Sequence, residues 1–126
     1  MTLTITPWYA LALTALFLVL SARVILYRRG NSISLGTADD PVMEHRVRAQ
    51  GNFAEYAPLG LVLLVIAEIN DAGAVWLHLC GILLLAGRAM HGVNFSFQLG
   101  MMALRVGGMV LTLAAIGLAA VLGVIG

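Results

Sequence analysis

HRVRAQGNFAEYAPLGLVLLVIA, residues 45–67, joins a polar helical face directly to an apolar run, and this junction decides the fold. Its polar residues fall at spacings of 0, 4, 7 and 8, which places them on one arc of about 100° around a helix; they are Arg48, Asn52, Glu55 and Tyr56. The following run, LGLVLLVIA, is apolar on every side of the same helix. One helix therefore passes from a polar end into a hydrophobic environment.

The composition identifies that environment as a lipid bilayer. Hydrophobic residues make up 61% of the 126 residues and charged residues only 10%, whereas soluble domains carry about 25% charged residues. A chain of this length accommodates about four spans of roughly 20 residues, with no separate soluble domain. The single cysteine, Cys80, excludes a disulfide framework and a multi-cysteine metal site.

Four apolar segments are predicted to cross the bilayer and to form one domain over residues 1–126. Turn-forming stretches separate them, such as GNSISLGTADDP at residues 30–41 and NDAG at residues 70–73. We expect helices over residues 7–27, 42–70, 74–97 and 102–124. Because the connections are short, neighbouring helices run antiparallel, and the predicted fold is an all-α integral membrane up-down four-helix bundle.

The arrangement of charges predicts the orientation in the membrane. All seven basic residues are arginines, and they flank the first and third connections, whereas the second carries Glu68 and Asp71. The positive-inside rule then places the first and third connections in the cytoplasm and both termini on the opposite side. Glu68 is expected to be a solvated charge at the end of its helix.

Ionisable groups from three predicted helices meet at the cytoplasmic end. Besides the polar face of the second helix, Arg88, His91 and Phe95 share a face of the third, and Arg105 stands alone near the start of the fourth. Ionisable groups in spans are costly and by default indicate function. Because arginine pairs bidentately with carboxylates, these groups favour a pocket for a small anionic ligand. In that pocket Arg105 would stabilise a developing anion such as a thiolate.

Structural roles stay open for the same residues. Glu55 would neutralise Arg48 or another arginine in an internal pair, and Asn52 would make an interhelical hydrogen bond worth roughly 1 kcal/mol. Any single arginine would serve only as a topology signal. The three histidines have no regular spacing, so no metal site is predicted.

The string RAQGNFAEYAPL, residues 48–59, resembles the second-helix signature of the MAPEG family, the membrane-associated proteins in eicosanoid and glutathione metabolism. AGRAMH at residues 86–91 and LRVGG at residues 104–108 resemble the matching stretches of the third and fourth helices. The short chain looks like the bacterial members, which resemble microsomal glutathione transferases. The resemblance implies a homotrimer that binds glutathione between neighbouring subunits, near the cytoplasmic face.

The resemblance also implies roles for individual residues. Arg105 matches the arginine that stabilises the glutathione thiolate, and it is the implied catalytic residue. An arginine of the first helix contributes in the family, and we favour Arg28 over Arg23 and Arg29. With Arg88 from the polar cluster, the predicted glutathione-binding residues are Arg28, Arg48, Gln50, Asn52, Glu55, Tyr56, Arg88 and His91.

These implications favour a glutathione-dependent membrane enzyme, with glutathione as the co-substrate. Its thiolate would attack a lipophilic electrophile or a lipid hydroperoxide from the bilayer, so transferase or peroxidase activity is expected. Phe95 stands where the eicosanoid-producing members carry a tyrosine, and Gly51 stands where another branch has an arginine. A dedicated leukotriene or prostaglandin synthase is therefore not expected.

Two other classes of function stay open. A small four-span transporter has about the same length, but the first predicted span lacks the embedded carboxylate that drug–proton antiporters need. A non-catalytic membrane scaffold of the same family is the other alternative, because Phe95 lacks a hydroxyl group that could contact the ligand.

Overall fold

Four long α-helices make up almost all of the computed structural model, which describes residues 2–126. They are α1 (Thr6–Gly30), α2 (Pro41–Ile69), α3 (Ala74–Ser96) and α4 (Met102–Ile125). Each is long and apolar enough to cross a membrane, which confirms the predicted all-α membrane fold; the number of subunits stays a prediction. α1 runs three residues beyond position 27, and the Asn31 N–H bonds to the Tyr27 carbonyl just past its end.

The two central helices are α2 and α3. Each packs against all the others, whereas α1 and α4 make no contact with each other within residues 2–126. The core is a column of buried aliphatic side chains between the helices, with Leu13, Leu20, Leu64 and Leu84 each at most 2% exposed. The opposite faces of the helices carry large exposed apolar residues, as expected for helices in contact with lipid.

A pair of glycines lets α3 and α4 approach backbone to backbone. A Cβ atom on Gly87 would lie 2.7 Å from the Gly108 carbonyl oxygen, and one on Gly108 would lie 2.8 Å from the Gly87 carbonyl oxygen. Small residues at such a crossing are typical of membrane helices, because close backbone approach increases the packing contacts. This crossing brings the polar residues of α3 next to those at the start of α4.

Glu68, near the end of α2, holds the start of α1. Its carboxylate accepts hydrogen bonds from the backbone N–H groups of Thr4 (2.9 Å), Ile5 (2.8 Å) and Thr6 (2.8 Å). The first N–H groups of a helix lack intrahelical partners, and Ile5 provides no side-chain cap of its own. The expectation of a solvated end charge is therefore wrong, because the negative carboxylate is held at the positive end of α1.

Asp40 plays the corresponding part at the start of α2. One carboxylate oxygen accepts the N–H groups of Val42 (2.9 Å) and Met43 (3.2 Å), and the other accepts the Tyr27 hydroxyl (2.8 Å). The Tyr27 hydroxyl and these two N–H groups hold the pKa of Asp40 below its ordinary value of 3.8. The first connection is thereby fixed between α1 and α2.

Replacing Glu68 should loosen the start of α1. In Glu68→Ala three N–H groups lose their acceptor, and we expect a loss of about 1–2 kcal/mol, as for other helix caps. Hydrogen–deuterium exchange in detergent should show faster exchange at residues 4–6. The matched control, Glu44→Ala, removes an exposed carboxylate and should leave these amides unchanged. Equal protection in both variants would contradict the capping role.

Asp40 should make the fold less stable at acidic pH. Its pKa is lower in the folded than in the unfolded chain, so its contribution is present above the ordinary value and is lost as pH falls through the folded value. Asp40→Asn keeps an acceptor for the helix N–H groups but carries no charge. Between about pH 6 and about pH 2 the Tm should therefore fall more steeply for the wild type than for Asp40→Asn. Parallel curves would exclude this role.

Candidate functional site

A buried arginine lies where α2, α3 and α4 meet. Arg88 is 1% exposed. Its Nε donates to Thr112 Oγ1 (2.9 Å), and its Nη1 donates to both the backbone and the side-chain oxygen of Asn52. Its Nη2 lies 3.2 Å from Met109 Sδ. No carboxylate pairs with it in residues 2–126. Arg88 therefore joins three helices and remains a buried cation without an anionic partner in the chain.

Thr112 fixes the position of this guanidinium. Its hydroxyl donates to the Gly108 carbonyl (2.7 Å), which leaves its oxygen lone pairs to accept from Arg88. The close approach of Gly87 to α4 makes this reach possible, because a Cβ there would lie 2.5 Å from Thr112 Oγ1. The ring of Tyr56 lies over the same guanidinium, 5.2 Å from its central carbon. The interhelical hydrogen bond weighed as a structural role for Asn52 is thus present, with Arg88 as its donor.

Beside this network lies a cavity of about 260 Å³, close to the lower end of the usual range for small-molecule sites. We call it the arginine cavity; its lining residues are Arg48, Asn52, His91, Phe95, Arg105 and Met109. The lining contains two arginines and no acidic residue. Three helices thus place the predicted polar groups around one space that suits an anion.

His91 has a buried nitrogen without a partner. The side chain is 5% exposed, and Nδ1 makes no hydrogen bond within residues 2–126. The ring stacks on Phe95 with 4.6 Å between centroids. A buried polar atom without a partner is costly, so a polar ligand in the cavity would provide what the chain does not. No three metal-binding side chains converge in the described part of the chain.

Arg48 and Glu55 form a loose pair at the edge of the cavity. Their closest N···O distance is 3.7 Å, and their side chains are 55% and 56% exposed. An exposed pair of this kind contributes about 0–1 kcal/mol. It is therefore not an internal pair, and both groups remain accessible to a ligand.

Five predicted glutathione-binding residues do not line the arginine cavity of a single chain. Glu55 lies at its edge, Tyr56 and Arg88 belong to the network beside it, and Arg28 and Gln50 form hydrogen bonds elsewhere. Arg28 donates to the Gly36 carbonyl in the first connection (2.8 Å), and Gln50 donates to the Ser21 hydroxyl of α1 (3.0 Å). Their part in ligand binding stays a prediction.

The other two arginines of α1 differ from each other. Arg23 donates to the hydroxyl and carbonyl oxygens of Ser96, and its guanidinium lies 3.6 Å from the centre of the Phe97 ring. It therefore ties α1 to the end of α3. Arg29 is exposed at the end of α1 and provides a reference arginine outside these networks.

Asn94 positions the start of α4 and was missed by sequence reasoning. It is 5% exposed. Its carbonyl accepts the Leu99 N–H (2.9 Å), and its side-chain oxygen accepts the Met101 N–H (2.9 Å). Met101 directly precedes α4, so these bonds fix the first turn, which carries Arg105. The sequence contained one indication of this role, because Asn94 is a polar residue in an apolar span, three residues after His91. It did not show that Asn94 binds the connection between α3 and α4.

Two comparisons with known proteins bear on this arrangement. The sequence profile of the MAPEG family matches residues 6–125, which span all four helices. The inner membrane protein YecN of Escherichia coli K12 is 34% identical over 91 residues, 72% of this chain and 70% of that protein. YecN of Escherichia coli O6:H1 gives the same values. With the four apolar helices, these findings establish a multi-pass integral membrane protein.

The hydroxyl of Thr112 should matter more than its methyl group. Thr112→Val leaves a buried Arg88 N–H without an acceptor, and we expect a loss of about 1–3 kcal/mol. Thr112→Ser keeps the acceptor and should retain most of the stability. Thermal unfolding in detergent compares the two variants, and a serine variant as unstable as the valine variant would exclude the hydrogen bond as the cause.

Proposed function

This chain belongs to the MAPEG family, and we propose on that basis that it is a glutathione-dependent membrane enzyme. The arginine cavity is the observation that carries the proposal, because it combines two arginines, an amide, an unpartnered imidazole nitrogen and a buried cation behind them. Glutathione offers the complementary groups: two carboxylates, an ammonium, two amides and a thiol. The proposed activity is that of a transferase or peroxidase acting on lipophilic substrates.

The lining suggests how each end of glutathione would bind. Arg48 would pair with a carboxylate, since the guanidinium fork matches carboxylate geometry. The side-chain oxygen of Asn52 accepts a hydrogen bond from Arg88, so the Asn52 NH₂ group would donate to a ligand oxygen. Glu55, beside Arg48, would hold the ammonium. Arg88 itself would act through its charge and through the orientation of Asn52.

Arg105 would hold the reactive sulfur. It lines the cavity from the first turn of α4, where the positive end of the helix dipole adds to its own charge. A neighbouring cation lowers the pKa of a thiol from about 8.5, so the thiolate would form near neutral pH. In conjugation the sulfur bonds to an electrophilic carbon and the leaving group departs with its electron pair. In peroxide reduction the sulfur bonds to the terminal oxygen, the O–O bond breaks, and the alkoxide leaves and takes a proton from water. The thiol of a second glutathione then attacks the resulting sulfenic acid, which forms the disulfide and releases water.

A homotrimer with the first and third connections in the cytoplasm completes the proposal. Arg48 and Glu55 are more than half exposed on a membrane helix, which favours a second copy of the chain beside them. A neighbouring Arg28 would then be able to reach the bound glutathione. The arginines flanking the first and third connections support the orientation.

Glutathione titration of the purified protein tests ligand and ionisation together. We expect ultraviolet absorbance of the bound thiolate to rise with glutathione in the wild type and to disappear in Arg105→Ala. Arg48→Ala should raise the Kd at least tenfold, which corresponds to about 1.4 kcal/mol. The matched control, Arg29→Ala, removes an equal charge outside the site and should behave as the wild type.

Contrary outcomes point to different functions. An unchanged thiolate signal in Arg105→Ala would remove this residue from the mechanism. If calorimetry in nanodiscs detects no glutathione binding to the wild type, the non-catalytic scaffold replaces the enzyme. Proton-coupled efflux from vesicles that vanishes in Glu55→Gln would instead support the transporter.

A further inference from the structure

A second, smaller cavity shares two residues with the arginine cavity. It measures about 140 Å³ and lies at the loop between α3 and α4, so we call it the loop cavity. Its lining residues are His45, Asn94, Phe95, Gly100, Met101, Met102 and Arg105. Phe95 and Arg105 line both cavities. The same cation therefore faces two separate spaces.

The Phe95 ring is the centre of the shared wall. His91 stacks on it at 4.6 Å, the His45 ring lies 6.0 Å away, and the Arg105 guanidinium carbon lies 5.6 Å from its centroid. The cation–π contact and the stacked ring restrict where Arg105 can lie. Arg105 is thus placed at the border of the two cavities.

Asn94 gives the loop cavity a hydrogen-bond donor. Its Oδ1 must be the atom that accepts the Met101 N–H, because the amide nitrogen can only donate. The remaining arm of this 5% exposed side chain is therefore the NH₂ group, which makes no hydrogen bond within residues 2–126. Asn94 lines the loop cavity, so its NH₂ group is able to donate a hydrogen bond to a ligand oxygen there.

The other walls suit the end of an apolar molecule. Met101 and Met102 are 50% and 65% exposed, and flexible methionines accommodate varied apolar groups. A volume of about 140 Å³ is well below that of a drug-sized ligand site. The loop cavity is therefore sized for one functional group, with the rest of the molecule outside along the methionines.

We propose that the loop cavity binds the reacting oxygen of the lipophilic acceptor, with Asn94 and Arg105 as its partners. This proposal rests on the proposed glutathione activity. In an α,β-unsaturated carbonyl, sulfur bonds to the β-carbon, the C=C π pair forms a new double bond between the α-carbon and the carbonyl carbon, and the C=O π pair moves to the oxygen. Water then protonates the α-carbon of this enolate, and the C=O bond forms again. In a hydroperoxide, sulfur bonds to the terminal oxygen and the O–O bond breaks, and the alkoxide takes a proton from water. In both cases negative charge develops on an oxygen, and donors placed beside it stabilise the transition state.

A saturated ketone tests the subsite without turnover. 2-Undecanone with a ¹³C-labelled carbonyl cannot be attacked by the thiolate, and its C=O stretch falls in frequency when the oxygen accepts a hydrogen bond. We expect a downshift on adding the wild type in a detergent without carbonyl groups, and a smaller downshift in Asn94→Leu, in which only Arg105 still donates. A wild-type frequency equal to that in empty micelles, or an equal downshift in both proteins, would overturn the proposal. This result does not depend on glutathione.

Filling the loop cavity should impair the reaction of the lipophilic acceptor without changing the binding of glutathione. We expect Met102→Trp to lower kcat/KM at least tenfold for trans-2-nonenal, for cumene hydroperoxide or for both, with glutathione Kd and thiolate absorbance as in the wild type. Val106→Trp makes a comparable enlargement one turn further along α4, at an exposed residue outside the cavity, and is the matched control. Equal rates for the two variants would overturn the subsite.

The two acceptors identify which oxygen the subsite takes. A loss for nonenal alone indicates a carbonyl, a loss for the hydroperoxide alone indicates a peroxide, and either result supports the subsite. Asn94→Leu should lower the affected kcat/KM by about 10²-fold, as when an oxyanion donor is removed, while the thiolate signal shows that Arg105 is still in place. Absence of that signal in the wild type would refute the proposed function, and the ketone measurement would still decide the subsite.

Discussion

The buried guanidinium of Arg88 is the constraint on which the arrangement of the helices depends. In a bilayer each polar group needs a partner within the protein, and Arg88 finds its partners in Asn52 and Thr112 on two other helices. The reach to Thr112 requires α3 and α4 to touch at Gly87 and Gly108. A larger residue at either glycine would separate the helices and leave donors unpaired. Packing and polar satisfaction therefore impose the same geometry, and that geometry forms one wall of the arginine cavity.

The charge of Arg88 is not balanced within the described chain, and this imbalance explains why the cavity suits an anion. Burying a cation without a counter-ion costs several kcal/mol even after relaxation. Arg48 and Arg105 add two positive charges to the lining, and within residues 2–126 the only ion pair that either makes is the loose one between Arg48 and the exposed Glu55. An anionic ligand would relieve this repulsion and would at the same time stabilise the folded bundle, because it binds only the folded state. Binding of the anion would thus recover part of the free energy lost by burying these cations.

The sequence predicted the features that depend on local pattern. Hydropathy is summed along one segment, so the four helices follow from composition, and helical spacing places Asn52 on the polar face. The missed features depend on tertiary contacts between distant residues. Glu68 binds N–H groups more than sixty residues away, so its sequence neighbourhood suggested only a free end charge. Thr112 lies in an apolar run without any other polar residue, and its role depends on a helix crossing that no local pattern predicts. The long side chain of Arg28 can turn in several directions, and the fold turns it toward Gly36.

Phe95 explains why one arginine would serve two cavities. Phe95 lines both the arginine cavity and the loop cavity, and it has no hydroxyl group that would compete with Arg105 as a donor to either ligand. The two cavities have two lining residues in common, the apolar Phe95 and the charged Arg105. In the proposed reaction negative charge moves from the glutathione sulfur to an acceptor oxygen. If both atoms face the same fixed cation, the charge stays in one favourable field throughout, and little reorganisation is needed as it moves.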